Sequence, residues 1–188
     1  MHFTDEPSHT WRPSWPFLLL GAVAFAAAGL TLATPLLAAI PPERVVGVTL
    51  LAYGAMSLSI ALFHWQSHRV GTETLAYAAA LAAGTTLLLL PVISMIQSFG
   101  FVIAAYLITS GGLRIICGIT HRADDGCFAL VIAGTVSLLS AVLLLTAFAA
   151  IDWAPLVALA TGMTASGTAH LAMWGRDRLV WLEDRNAA

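Results

Sequence analysis

Charged side chains are scarce in this sequence. They make up 10% of its 188 residues, against roughly a quarter in soluble domains. Lysine is absent altogether, and all eight basic residues are arginines scattered along the chain. With a formal net charge of −2 and no basic tract, nothing here could hold a nucleic-acid backbone, so nucleic acid is excluded as a partner. Cysteine is nearly missing as well. Cys117 and Cys127 close one apolar stretch and open the next, which is neither a disulfide framework nor zinc-ligand spacing, and both read as small packing residues. The His-Glu-x-x-His, Gly-x-Ser-x-Gly and phosphate-loop patterns do not occur. The expectation is therefore a non-enzyme without cofactor or metal.

Apolar sequence fills the space that charge leaves. Hydrophobic residues are 59% of the chain and the mean hydropathy is +0.87. Six apolar stretches predict membrane helices at Trp15 to Leu37, Val45 to Phe63, Leu75 to Leu90, Phe99 to Thr120, Cys127 to Ala150 and Trp153 to Trp174. Ile40-Pro41-Pro42, the polar stretch His64 to Glu73, Pro91 and the polar turn His121 to Gly126 separate them. No Asp or Glu falls inside any predicted span. The first stretch reads as a retained helix, because a signal peptide needs a basic leader and an apolar core of only about 7 to 15 residues, whereas Asp5 and Glu6 outnumber Arg12.

The expected fold is all-α, an integral membrane bundle of six transmembrane helices built as three repeated hairpins. Residues 1–14 form a tail, 15–174 the membrane domain with repeats at about 15–66, 75–122 and 127–175, and 176–188 a second tail. Arginines accumulate on the cytoplasmic side of membrane proteins. Arg12, Arg69, Arg122, Arg176, Arg178 and Arg185 share one side against Arg44 on the other, which puts both termini in the cytoplasm. Trp11, Trp15, Trp65, Trp153 and Trp174 fall at predicted helix ends, where indoles anchor at headgroups.

The helical pairs repeat every 55 to 58 residues, most clearly in the even helices, where Gly54, Gly112 and Gly167 each precede a polar end by about ten residues. Gly21, Gly29, Gly84 and Gly134 mark the odd helices, with Pro35 and Pro91 at the first two exits. Small residues let backbones approach where lipid supplies no hydrophobic drive to associate, so all seven glycines read as packing positions. The pattern Trp15, Gly21, Gly29, Pro35, then Gly54, and again Gly84, Pro91, Gly112 and Arg114, resembles the HdeD family. The resemblance covers Trp15 to Trp174 and lacks a third proline. It implies a small multi-pass protein of the bacterial inner membrane, associated with acid resistance, and it brings no catalytic residue.

Two polar residues inside the spans carry what chemistry there is, since ionisable groups in a membrane normally mark function. Arg114 lies about 9 Å below the end of the fourth helix, at 1.5 Å per residue. There it either snorkels to the headgroups or faces the interior as an anion or lipid contact, with Glu73, Asp124 or Asp125 as partners. His170, one position beyond the repeat equivalent of Arg114, is either a core histidine bonded to a neighbouring helix or a pH-responsive group, together with His64 and His121 at the same level. The leading functional expectation is a non-enzymatic, HdeD-like protein of acid or envelope stress tolerance, associating in the bilayer with other membrane proteins or with itself. A small transporter or channel is the alternative, and an accessory subunit of a larger membrane complex the third reading.

Overall fold

A computed structural model describes residues 15–37, 39–63, 70–89, 96–120, 127–146 and 151–187. Among them the chain is all-helical: α1 (Trp15–Ala33), a 3₁₀ turn (Thr34–Leu36), α2 (Pro42–Phe63), α3 (Val70–Leu89), α4 (Ile96–Thr120), α5 (Cys127–Thr146) and α6 (Ala154–Ala187). Pro35 cannot continue the α-helical ladder, and α1 tightens into the 3₁₀ turn there. Pro42 opens α2, where its fixed backbone angle is already helical. Two boundaries differ from expectation. α3 begins at Val70, which takes Glu73 out of the predicted link and into the first turn of a helix. α6 runs unbroken past Gly175 to Ala187, because nothing at that glycine turns the backbone aside.

Among the described residues, four segments are long and apolar enough to cross a membrane: Trp15–Leu36, Pro42–Phe63, Phe99–Thr120 and Cys127–Thr146, each of 20 to 22 residues. That matches the roughly 30 Å of a hydrocarbon core. In α3 the apolar part is the shorter Glu73–Leu89. α6 has length to spare, but Thr161, Thr164, Ser166, Thr168 and His170 dilute its hydropathy. Large apolar side chains point outward all round, among them Leu36, Phe63, Leu89, Phe101 and Phe128, each at least 64% exposed. Such a surface suits lipid rather than water.

Helix contacts follow the chain round and close from α6 back onto α1, with α4 also touching α6. The most extensive contacts join α4 to α5, α2 to α3 and α1 to α6, so they lie between the predicted hairpins rather than within them. Glycine explains the closeness. A methyl group at Gly84 would stand 2.8 Å from the Gly47 carbonyl oxygen, one at Gly134 would stand 2.5 Å from that of Gly111, and one at Gly167 would stand 3.2 Å from that of Gly21. Gly54 fits equally tightly against Tyr77 and Leu81. Gly29 and Gly112 do not belong to this set. Neither has any neighbouring atom within 4 Å of where a side chain would begin, because the helix face that packs in α4 carries Gly111 and Gly118 and turns Gly112 away.

The even helices also bury one face in register. Val46, Leu50, Tyr53 and Ser57 of α2, Ile103, Leu107, Ser110 and Arg114 of α4, and Leu159, Met163, Ser166 and His170 of α6 are all buried. Each set steps by three or four residues, and equivalent positions lie 57 and 56 residues apart. In this register Arg114 and His170 are equivalent, not offset by one. Along each helix the stripe passes from aliphatic to polar toward the end where α1 and α3 begin.

Gly84→Ala and Gly134→Ala should each destabilise the purified protein by about 1–3 kcal/mol through overpacking. Gly29→Ala and Gly112→Ala should leave it unchanged or slightly stabilised. Thermal unfolding in detergent separates the two classes, and equal tolerance would show that the crossings do not hold the bundle.

Candidate functional site: a buried polar network

Glu73 and Tyr77 sit four residues apart on α3 and therefore share a face, which meets His170 of α6. The Tyr77 hydroxyl donates to Glu73 Oε2 at 3.2 Å and stands 3.0 Å from His170 Nε2. His170 Nε2 lies 3.3 Å from Glu73 Oε2, and all three side chains are buried. On the other side of the ring, Nδ1 is 2.7 Å from the Ser166 carbonyl oxygen. A carbonyl only accepts, so Nδ1 carries a hydrogen and Nε2 is left to decide the charge.

That geometry counts protons. Were the imidazole neutral and the carboxylate ionised, Nε2 and Oε2 would face each other as two acceptors, with one tyrosine hydrogen to serve both. One further proton closes the triangle. Nε2–H then points at the tyrosine and carboxylate oxygens while the Tyr77 hydroxyl donates to Oε2, and the same holds if the proton rests on the carboxyl. Glu73 and His170 are thus placed within reach of a common proton inside the bundle. The second carboxylate oxygen, Oε1, is buried and without a partner.

A second branch runs to Arg114. Tyr53 of α2 approaches Ser166 Oγ at 3.5 Å and receives a long hydrogen bond, also 3.5 Å, from Arg114 Nη2. The Tyr53 and Tyr77 rings meet edge to face, with centroids 6.1 Å apart. Phe17 of α1 covers His170 with its ring 6.5 Å away. Arg114 is only 3% exposed, so it does not snorkel to the surface. Glu73 acts on it through space, without a contact of 4 Å or less.

Arg114 and His170 therefore lie in one network, joined by residues the sequence pattern did not single out. Tyr53 and Tyr77 escape notice because a tyrosine in an apolar helix looks like core. Glu73 was assigned to the link before the third helix. The statement that no carboxylate enters a span is corrected by α3 starting one turn before it, and His170 is accordingly not the only group in the helices that can exchange a proton. The Glu73-x-x-x-Tyr77 spacing was the available signal. His64 and His121 lie outside the described residues. Cys117 and Cys127 are buried free thiols. Among the described residues no three His, Cys, Asp or Glu side chains converge as metal ligands.

No known protein-family model, curated protein or solved structure matches this chain. The resemblance to the HdeD family stands on the quoted glycines, prolines and Arg114 alone.

Glu73→Gln or His170→Gln leaves a buried partner uncompensated, and each should cost about 3–5 kcal/mol. The double variant should cost clearly less than the two together. A double-mutant cycle on thermal unfolding reads this coupling directly, and additive losses would mean that the two side chains do not share a proton.

Proposed function

We propose that this chain is a non-enzymatic, six-span protein of the bacterial inner membrane that contributes to acid or envelope stress tolerance, as the resemblance to the HdeD family implies. The observation that carries the reading is the contact between Glu73 and His170, 3.3 Å apart and buried. Ionisable groups held inside a membrane bundle are costly and persist where function needs them. Here they bridge α3 and α6, so a change in their proton content acts on the packing of two helices.

The direction follows from charge. A proton added to the pair makes the buried network around Arg114 more positive. The cost of burying that charge loosens the contact between Glu73 and His170. The loosened bundle exposes faces that associate with other membrane proteins or with a second copy. With both termini cytoplasmic, the polar residues of the network would lie near the compartment whose pH the switch reports. The six arginines on one side against Arg44 on the other support that orientation. A small transporter or channel is the second reading, favoured by the buried hydroxyls of Ser57 and Ser110, which have no partner in the interior.

In cells that depend on the protein, Glu73→Gln and His170→Gln variants that accumulate normally in the membrane should lower acid survival and leave growth at neutral pH unchanged. Survival equal to the parent in both variants would remove the acid role. Reporter fusions after Arg69, Arg122 and Arg178 should read cytoplasmic, and those near Arg44, Gln97 and Asp152 external. An external reading at the C-terminus would overturn the six-span arrangement.

A further inference from the structure

We propose that Arg114 is the positive pole of an internal site for a small monovalent anion of the halide class, built with Tyr53, Tyr106 and Ser110. The inference goes beyond the acid response and does not rest on it.

Arg114 has five N–H donors; among the described residues it meets the Tyr53 hydroxyl at 3.5 Å and the Tyr106 hydroxyl. No carboxylate lies within 4 Å of it among the described residues. A buried guanidinium without a contacting counter-ion is costly in an apolar bundle.

The hydroxyls around it are the second observation. Thr31, Thr49, Thr135, Ser137 and Ser140 all return their hydroxyl to the carbonyl four residues back, the usual solution for a helix without water. Ser110 does not. It is fully buried, one turn before Arg114 on the same face, and its Oγ makes no hydrogen bond. Tyr106, a turn earlier and also buried, turns its hydroxyl toward both Ser110 and Arg114. N–H and O–H donors thus converge where every available acceptor is a weak tyrosine or serine oxygen. A water molecule would answer the hydroxyls and leave the charge. An anion answers both, and the span of about 6 Å between side chains one turn apart suits a monatomic one.

Proton and anion are then linked. Among the described residues, the charged or titratable groups around Arg114 are Tyr53 from α2, Glu73 and Tyr77 from α3 and Tyr106 from α4, with His170 from α6 beyond Glu73. A proton added to the Glu73–His170 pair makes this surrounding more positive and the anion better held.

The test uses the full-length protein in detergent, with chloride replacing gluconate at constant ionic strength and bromide as a second probe. The melting temperature should rise saturably with either halide. Ser110→Ala, which leaves the fold and charge intact, should raise the half-saturating concentration about tenfold, and Arg114→Gln should abolish the response. If Arg114→Gln does not fold, the serine variant alone carries the test. A flat response, or an equal response in parent and Ser110→Ala, leaves water in the site and overturns the proposal. In the parent, half-saturation should be lower in acid than at neutral pH, and His170→Gln should flatten that dependence while keeping the halide effect. A halide effect indifferent to pH upholds the anion site and counts against the acid reading.

Discussion

At the Gly47–Gly84, Gly111–Gly134 and Gly21–Gly167 crossings two helices meet backbone to backbone, at distances that a single methyl group would violate. Lipid is as apolar as leucine, so a bundle in a membrane gains nothing by hiding leucine and must be held by close dispersion contact. These three crossings set the spacing of α2 on α3, α4 on α5 and α6 on α1. Leucine, isoleucine and phenylalanine are left free to face outward, and the buried face of each even helix is brought to the interior.

What lies on that face follows from the same solvent argument. Backbone and hydroxyl groups that find no water must find each other, and most threonines and serines here do so within their own helix. The exceptions gather around Tyr53, Ser110, Arg114 and His170. A polar network that crosses four helices is expensive to bury and cannot be satisfied by any one helix alone. Its cost makes it the place where a change of one proton or one ion can shift how the helices pack.

The Glu73–His170 pair and Arg114 are two parts of that network with separate chemistry. The pair sets an acid and a base, from two helices, 3.3 Å apart. The arginine holds a fixed charge that no carboxylate among the described residues contacts. Tyr53, Tyr77 and Ser166 lie between them, so a charge added at one end is felt at the other through a few side chains of low polarisability. Acid response and anion binding, as proposed, are then expressions of one electrostatic balance.

Hydropathy and length alone determined the helical class and four of the spans, because a run of about twenty apolar residues has few other uses. The periodicity of small residues located Gly21, Gly54, Gly84, Gly134 and Gly167, but it also marked the open Gly29 and Gly112 and missed Gly47 and Gly111. Gly112 looked as good as Gly111, since a sequence repeat does not say which face of a helix turns inward. Arg114 and His170 stood out as polar residues in apolar sequence, but their meeting through Tyr53 and Ser166 did not, because the contact joins residues 61 apart in one case and 113 in the other. Glu73 stood out in the sequence only as a candidate partner of Arg114; its contact with His170 depends on α3 beginning at Val70. The sequence determined that the protein is greasy, helical and sparingly charged. Tertiary structure decided which of its few charges meet, because that depends on distances across helices that no one-dimensional pattern contains.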